Sequence, residues 1–491
     1  MPPNICQFSR RRLIGTLGLS AAIIALSGRN LGRAGAAPTA PMADGFQLMH
    51  ARTGSARLRG ADQPATPIWG YAGVTPGPLL RAKRGEELKV RLVNELSEPT
   101  VVHWHGVRLP NAMDGVPHLT QPPIAPGASF DYRFSAPDAG TFWYHAHLYS
   151  SEQMDRGLYG ALIIDELEKV DVDRDVLLVF DDWRLNADGT IHETSFRSMH
   201  DAAHDGRLGN HFTANGVPDF EIAVRSNERI RLRLVNAANA RIMSLRLDRH
   251  RATVMAIDGQ PAEPFIARDG RVTLGPGNRV DLFVDALLEP SATAPIVIDS
   301  GSGERALARL VYDSGAPARA APRSTDPRPL PPNPLPLRMD FAGALKLDVP
   351  IEGGAMAMTG AMSGRTGPTT GPTSGMLRDG FDGAAVWSLA GRASDGHSGK
   401  PLFAVKRGRT VMLALANRTA FPHAMHVHSH HFRLLDRLDD GWKPFWLDTV
   451  VVPARETWRI AFVADNRGKW MLHCHMLEHL ETGMAAWFEV I

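Results

Sequence analysis

A strand pattern that alternates apolar and polar residues and ends in asparagine occurs three times in this chain. The copies are residues 84–94, 226–236 and 407–417, which read RGEELKVRLVN, SNERIRLRLVN and RGRTVMLALAN. Each copy is followed further along by a Pro-Gly or Pro-Ala turn and a second alternating strand. Alternation of period two is typical of strands with one buried face, and an internal repeat indicates repeated structural units. The chain is therefore predicted to contain three related β units.

Helical periodicity is scarce between these copies, and short strands separated by Gly, Pro and Asn turns dominate. This pattern predicts an all-β chain built from β-sandwiches. We place three sandwich domains at residues 42–166, 167–316 and 337–491. Residues 317–336, which are rich in Pro, Ala and Arg, are predicted to form a semi-rigid linker.

Residues 1–37 are predicted to be an export signal that is removed from the mature protein. Three arginines at 10–12 precede an apolar run over 13–27, and small residues follow at 34–37. This order is typical of a bacterial twin-arginine signal, and the run is too short to span a bilayer. We expect export to the periplasm by the twin-arginine (Tat) machinery, with no membrane anchor after processing.

Charge and cysteine content restrict the remaining possibilities. Residues 1–37 carry five arginines and no other charged residue, so the formal net charge of +2 becomes negative without them. Nothing here favours nucleic-acid binding. Cys6 leaves with the signal, and Cys474 remains as the single cysteine, so no internal disulfide is expected. The histidines on both sides of Cys474 favour a metal ligand over a free thiol.

The stretch around Cys474 has the composition of a metal site. On a strand, His473 and His475 face one way and Cys474 faces the other. A thiolate with a second imidazole (His479) and a thioether (Met484) is the ligand set of a blue, electron-transfer copper. The two histidines on the opposite face could hold a different metal.

Counting from the asparagine that ends each repeat finds more histidines at equivalent positions. The residues nine and eleven positions further on are His103 and His105 in the first unit, His426 and His428 in the third, and Leu245 and Leu247 in the second. The second unit thus has ordinary core residues where the others have potential ligands. We predict that it is a spacer without metal ligands.

Four histidine clusters lie in residues 103–106, 143–147, 423–428 and 473–475. With these clusters the chain resembles the three-domain multicopper oxidases of the laccase and bacterial copper-oxidase type, from about residue 45 to the end. The resemblance implies three cupredoxin-like Greek-key β-sandwich domains and four copper ions: one type 1, one type 2 and a type 3 pair. The ligands it implies are His423, Cys474, His479 and axial Met484 for type 1, His103 and His426 for type 2, and His105, His145, His147, His428, His473 and His475 for type 3.

The resemblance implies an oxidase that couples four one-electron oxidations of a small reducing substrate to the reduction of O2 to water. Cys474 lies between His473 and His475 in the chain and so offers a short electron route to the type 3 pair. Asp114, nine residues after His105, is the proton-relay candidate that the family pattern implies. The alternative is a surface turn aspartate before Gly115.

A second proton donor is left open. Some bacterial relatives carry a glutamate directly after the second type 1 histidine, where this chain has Leu480. Glu481 is adjacent, but we expect it to point elsewhere.

Five further histidines lie outside the implied ligand set. We expect His430 and His431 to be structural or to support the ligands. The set His200, His204 and His211 in the second domain could hold an adventitious metal, but the loose spacing favours a solvated insert.

A methionine-containing segment bears on the identity of the electron donor. Residues 351–380 contain Met356, Met358, Met362 and Met376. Their thioethers suit Cu(I), and a flexible surface loop is an equally good account.

Phe421 and Pro422 leave an apolar approach to His423, which favours aromatic donors. We therefore expect a laccase-like enzyme for phenols and aromatic amines, acting as a monomer. A cuprous oxidase for periplasmic copper tolerance is the first alternative. A non-enzymatic copper-binding or structural protein on the same scaffold is the second.

Overall fold

The computed structural model describes residues 44–299, 303–355, 385–435 and 445–491. The predicted signal at 1–37, with Cys6, lies outside the described residues. The described chain is almost entirely β-structure, arranged in six sheets. The prediction of an all-β chain is confirmed. No helix in the described ranges is long and apolar enough to cross a membrane.

Unit one contains two four-stranded sheets. Their orders are β2-β1-β4-β6 and β3-β8-β7-β5. The strands are β1 (Gln47–Ala56), β2 (Thr66–Tyr71), β3 (Gly77–Lys83), β4 (Glu87–Asn94), β5 (Val102–His105), β6 (Ser129–Ser135), β7 (Gly140–Ala146) and β8 (Tyr159–Asp165).

Unit two contains a six-stranded sheet, β10-β9-β12-β17-β14-β15, and a five-stranded sheet, β11-β19-β18-β13-β16. The strands are β9 (Arg174–Trp183), β10 (His211–Ala214), β11 (Phe220–Val224), β12 (Arg229–Asn236), β13 (Met243–Leu247), β14 (Ala252–Ile257), β15 (Gln260–Ile266), β16 (Arg271–Leu274), β17 (Arg279–Asp285), β18 (Thr293–Asp299) and β19 (Glu304–Tyr312).

Unit three likewise contains a six-stranded sheet, β21-β20-β23-β28-β25-β26, and a five-stranded sheet, β22-β30-β29-β24-β27. The strands are β20 (Leu345–Gly353), β21 (Trp387–Leu389), β22 (Ala404–Val405), β23 (Thr410–Asn417), β24 (His423–Val427), β25 (Phe432–Leu434), β26 (Trp446–Leu447), β27 (Thr449–Val452), β28 (Thr457–Val463), β29 (Gly468–Cys474) and β30 (Ala485–Val490).

Helices are short and lie at connections. In the part of the chain that the structure describes, the α-helices are α1 (Ser150–Asp155), α2 (Met199–Ala203) and α3 (Leu477–Glu481), and the 3-10 helices are Asn111–Met113, Glu193–Ser195 and Arg268–Gly270. Contacts join α3 to both α1 and α2. These three helices of the described ranges, one from each unit, therefore meet at one place.

The repeated strand has the same neighbours in every unit. It forms β4, β12 and β23, and each lies between a parallel and an antiparallel partner. The parallel partners are β1, β9 and β20, and the antiparallel partners are β6, β17 and β28. The repeat seen in the sequence is thus a repeat of sheet topology. The domain boundaries drawn above stay a prediction.

Units one and three share one continuous apolar core, which includes Trp104 and Tyr144 from the first and Cys474 and Met484 from the third. Unit two has its own core, and it contains Leu245 and Leu247. These two leucines are core residues, as predicted.

A buried group of ion pairs in unit two is hydrogen-bonded to unit one. Arg231 and Arg233 on β12 are 1% exposed, where an alternating strand predicts solvent. One Asp281 carboxylate oxygen accepts hydrogen bonds from Arg231 Nη2 at 2.6 Å and Arg233 Nη1 at 3.3 Å. The other accepts from Thr141 Oγ1 of unit one at 2.6 Å. Tertiary contact has overridden the pattern that periodicity predicts.

We expect Asp281→Ala to destabilise the protein strongly, because it leaves two buried arginines without their shared acceptor. Breaking a buried pair costs about 3–5 kcal/mol, which urea unfolding followed by fluorescence would measure. Asp131→Ala is the matched control, since Asp131 also forms a two-point pair with an arginine, Arg91, but at the surface. Equal losses of unfolding free energy in the two variants would contradict this account.

Candidate metal centre

Two groups of potential ligands come together inside the protein. The eight-histidine cluster draws its members from units one and three: His103, His105, His145, His147, His426, His428, His473 and His475. The Cys474 group lies in unit three and contains His423, Cys474 and His479. All of these residues and Met484 are at most 1% exposed.

Strand register explains the cluster within each unit. In unit one, β5 and β7 are antiparallel, and His103 is directly opposite His145. In unit three, β24 and β29 are antiparallel, and His426 is directly opposite His473. Because side chains two residues apart share a face, each His-x-His motif adds a second ring beside the first.

The two halves of the cluster meet by ring stacking across the contact between units one and three. The His103 and His428 ring centroids are 3.9 Å apart, and those of His105 and His426 are 3.8 Å apart at an interplanar angle of 15°. A site shared between the first and third repeats is therefore present in the fold.

Most of the eight rings are anchored through Nδ1. In four rings Nδ1 donates to a backbone carbonyl: His103 to Asp114 (2.8 Å), His145 to Ala146 (2.9 Å), His426 to Asp448 (2.9 Å) and His473 to Cys474 (2.8 Å). In a fifth ring, His428 Nδ1 donates to the carboxylate oxygen Asp114 Oδ2 at 2.9 Å. His105 is anchored in the opposite sense, through Nε2 to Asp448 Oδ1 at 3.2 Å. A proton on the anchoring nitrogen leaves the other with a free lone pair.

Four of these six lone pairs have no protein partner in the described structure. Within the cluster, the buried nitrogens without a hydrogen bond are His103 Nε2, His105 Nδ1, His145 Nε2, His426 Nε2 and both nitrogens of His147 and His475. His428 Nε2 and His473 Nε2 face each other at 3.0 Å, although each ring already donates from Nδ1. Leaving one such group unsatisfied costs about 1–3 kcal/mol. The arrangement fits bound metal ions.

Sets of three potential ligand atoms within 4.8 Å of one another outline these positions. The sets are His103, His426 and His428; His103, His105 and His145; His147, His428 and His473; and His105, His426 and Asp448. Among the described residues, no set takes a member from unit two.

The Cys474 group forms a further set within the same 4.8 Å limit. Cys474 Sγ lies 3.8 Å from His423 Nδ1 and 3.7 Å from His479 Nδ1. The opposite nitrogens are anchored, His423 Nε2 to Thr419 Oγ1 at 2.8 Å and His479 Nε2 to the His204 carbonyl at 2.8 Å. Two imidazole lone pairs and a thiol therefore face one point.

Burial sets the protonation of these groups. It lowers the pKa of His423 well below its usual value and that of His479 to about 4, so both rings are neutral near pH 7. Burial also raises the pKa of the Cys474 thiol to about 12. The sulfur therefore ionises at neutral pH only when a cation offsets its charge.

Asp114 is 1% exposed, so the surface-turn alternative is wrong. It follows the 3-10 helix at Asn111–Met113. Its backbone carbonyl holds His103 of unit one, and its side chain holds His428 of unit three. Oδ1 has no hydrogen-bond partner and lies 3.4 Å from His103 Nδ1.

The interpretation of His200, His204 and His211 as a solvated insert is wrong in part. The side chain of His200 is 79% exposed, but the His204 carbonyl accepts from His479. His211 Nε2 donates to the Leu58 carbonyl at 2.7 Å. Because α2 packs on α3, this segment covers the Cys474 group.

His430 and His431 are buried outside the cluster, and His430 Nδ1 donates to the His428 carbonyl at 3.0 Å. Leu480 is buried, and Glu481 points away to α1, where its carboxylate accepts from Ser151 N at 2.8 Å. The four methionines at 356–376 lie outside the described residues.

Asp448 was missed by sequence reasoning, although its carboxylate and carbonyl hold two of the rings. It stands between Trp446-Leu447 and the apolar β27, and an acidic residue between two buried strands was the available signal. Trp387 was also missed. Its ring lies 4.9 Å from His423 and 4.5 Å from His479.

Comparisons with known proteins agree with this geometry. Three family models, each described as multicopper oxidase, match residues 53–169, 174–310 and 367–491. Multicopper oxidase MmcO of Mycobacterium tuberculosis is 30% identical over 99% of this chain and 97% of its own length. The copper resistance protein A homolog of Pseudomonas syringae pv. tomato is 27% identical over 84% of this chain and 87% of its own length.

Solved structures give the same picture. A multi-copper oxidase from Pseudomonas thermotolerans is 32% identical, with a TM-score of 0.78 over 90% of this chain and 98% of its own. The laccase-like CueO of Ochrobactrum sp. is 26% identical, with a TM-score of 0.75 over 93% of this chain and 99% of its own.

We expect the metal-free protein to lose stability as the pH falls from about 6.5 towards 4. Burial lowers the pKa of both His430 and His479 to about 4, so the unfolded chain takes up these protons first. Each histidine then contributes a loss of about 1.4 kcal/mol per pH unit in this window. Urea unfolding of metal-free protein at several pH values measures the slope of unfolding free energy against pH. His430→Phe should lower this slope by about 1.4 kcal/mol per pH unit, which is the contribution of one proton. A flat profile would contradict the assignment.

Proposed function

The chain belongs to the multicopper oxidase family, and on this premise we propose how its residues divide the work. The protein is an oxidoreductase that couples oxidation of a reducing substrate to reduction of O2. We propose that the Cys474 group, with Met484 as axial ligand, holds a type 1 copper. His103 and His426 would hold a type 2 copper, and the other six histidines of the cluster a type 3 pair.

The orphaned lone pairs carry this proposal. Imidazoles and one thiol suit copper, whereas hard oxygen-preferring cations do not select such a set. When bound, copper supplies one-electron chemistry at the Cys474 group and the electrons for O2 at the eight-histidine cluster.

The protein links the two groups through a single strand. His473 and Cys474 end β29, and His475 follows directly. Across the strand pair, Met425 is opposite Cys474 and His426 is opposite His473. The thiol side of β29 therefore belongs to one group and the imidazole side to the other, and we propose that electrons pass along this covalent connection.

Proton supply is the second task, and we assign it to Asp114. Its Oδ2 is occupied by the His428 Nδ1–H, while Oδ1 is buried, unpartnered and beside His103. An oxygen in that position can accept a proton and release it within reach of the cluster, as general acid catalysis requires.

Asp114→Asn keeps the shape of this side chain but removes its capacity to deliver a proton. We expect reoxidation of the reduced enzyme by O2 to slow by about 10²-fold or more. Reduction of the blue band by a donor should keep its rate, since Asp114 does not contact the Cys474 group. Stopped-flow absorption separates the two steps, with Asp131→Asn as a surface control. Unchanged reoxidation would remove Asp114 from the mechanism.

The cover of the Cys474 group favours aromatic donors. The ring of Phe421 lies 5.6 Å from His204 and 6.1 Å from Trp387, in edge-to-face geometry. Phe421, Pro422 and His204 are partly exposed, so this surface offers π faces and an imidazole to a substrate. We propose phenols and aromatic amines as donors. The Ochrobactrum protein is described as having oxidase activity towards lignin model compounds and lignosulfonate.

Cu(I) is the second candidate donor, because a relative is named as a copper resistance protein and the chain contains the methionines at 356–376. The non-enzymatic alternative has no such support. From the twin-arginine motif we further propose export to the periplasm, and we expect a monomer that holds four copper ions.

The direct test compares the copper-loaded parent with Cys474→Ser. The parent should show an intense absorption band at about 600 nm, typical of thiolate-to-Cu(II) charge transfer. It should also consume O2 with a phenol. Cys474→Ser should lose the band and the uptake while keeping copper at the cluster. Uptake with a phenol and with Cu(I), measured side by side, ranks the donors. A parent with neither band nor uptake would contradict the proposed function.

A further inference from the structure

We propose that Arg279, in unit two, is a positioning residue for the eight-histidine cluster. Through Asp448 it fixes the ring orientation and tautomer of His105 and His426. The inference rests on the proposed function, in which these two rings bind copper. It gives unit two, which carries none of the proposed ligands, a direct part in building the copper site.

The Arg279 side chain contacts all three units at one buried point. Its Nη1 donates to Asp448 Oδ1 at 2.8 Å and its Nη2 to Asp448 Oδ2 at 2.6 Å, which is a two-point pair with a residue of unit three. Its Nε donates to the Thr141 carbonyl of unit one at 3.2 Å. Arg279 and Asp448 are 0% and 1% exposed, so water does not compete for these bonds.

Asp448 transmits this constraint to one ring from each side of the cluster. Its Oδ1 accepts from His105 Nε2 at 3.2 Å, and its backbone carbonyl accepts from His426 Nδ1 at 2.9 Å. Thr449 Oγ1 donates to Asp448 Oδ1 at 2.9 Å and lies 3.2 Å from His105 Nε2 and 3.0 Å from His426 Nδ1.

The consequence is a fixed and opposite choice of tautomer. His105 keeps its proton on Nε2 and presents Nδ1, while His426 keeps its proton on Nδ1 and presents Nε2. Both presented nitrogens are buried and unpartnered. The tautomer of His105 depends on the orientation of the Asp448 carboxylate, because no backbone carbonyl is bonded to this ring in the described structure. The two-point pair with Arg279 determines that orientation.

A second acidic residue of unit two holds the backbone at this point. Asp258 Oδ2 accepts from the amides of Asp448 and Thr449, both at 3.2 Å. Asp258 Oδ1 accepts from Arg279 N at 3.0 Å. Unit two therefore determines the position of both the side chain and the main chain of Asp448.

Two glycines leave the room that this arrangement needs. Gly106, directly after His105, has φ +82°, and a Cβ there would lie 2.3 Å from Arg279 Nη2 and 2.6 Å from Asp448 Oδ2. A Cβ on Gly277 would lie 3.0 Å from His105 Cε1 and 3.1 Å from His475 Cδ2. Unit two thus approaches the rings as closely as its backbone permits, which a spacer without a role at the site does not require.

The experiment compares Arg279→Gln, Arg279→Lys and Arg231→Gln in the copper-loaded full chain. Arg231→Gln is the matched control, because Arg231 is 1% exposed and also forms two hydrogen bonds with an aspartate, Asp281, away from the histidines. The measurements are the type 2 electron paramagnetic resonance signal, the copper affinity of the cluster by chelator competition, and the blue band as a reference within the same molecule.

We expect Arg279→Gln to weaken copper binding at the cluster by about 10- to 100-fold, the usual effect of removing a residue that orients a ligand. The type 2 signal should fall or change shape while the blue band stays, because the Cys474 group does not contact Asp448. Arg279→Lys should restore part of the affinity, since it keeps the charge but not the two-point geometry. Arg231→Gln should leave both spectra as in the parent.

The inference is overturned if Arg279→Gln, or Arg279→Lys should the former not fold, keeps the parental affinity and type 2 signal. It is also overturned if Arg231→Gln reproduces the same losses, because the effect would then be one of general stability. These results differ from failure of the proposed function. In that case the parent itself lacks the blue band and O2 uptake, and the inference falls with it.

Discussion

The stacking of imidazoles between the first and third units is the contact on which the rest of this structure depends. His103 lies on His428 and His105 lies on His426, with ring centroids less than 4 Å apart. The buried rings of the cluster bring ligand nitrogens within 4.8 Å of one another, and most of these nitrogens have no hydrogen bond, which is unfavourable until a cation binds them. The apolar core shared by units one and three holds the two ends of the chain in this contact.

Function follows from the way β29 joins this cluster to a second one. Its imidazoles belong to the cluster and its thiol belongs to the Cys474 group, so one strand serves both metal environments. The Cys474 group is covered by α2 from unit two and by Trp387 and Phe421 from unit three. In the proposed function, a donor meets a surface assembled from two units, and its electrons would leave on the opposite side of the same strand.

Much of this could be predicted from sequence, since alternation of period two and the threefold repeat are local properties. They placed His103 and His426 on equivalent strands and Leu245 in a core. Asp448, Arg279 and the His204 carbonyl could not be found in this way. Their roles depend on contacts between units more than one hundred residues apart in the chain, and periodicity carries no information about such contacts. Arg231 shows the same limit, because pairing buried a side chain that alternation assigns to solvent.

Anomalous diffraction at the copper edge, from crystals of the copper-loaded full chain, tests the central claim most directly. The account predicts three copper peaks among the eight histidines at the contact between units one and three, and one peak between His423, Cys474 and His479. Asp448 should remain bonded to Arg279 and His105 in that structure. Copper peaks confined to one unit, or a cluster whose histidines stay paired with each other beside copper bound elsewhere, would contradict it.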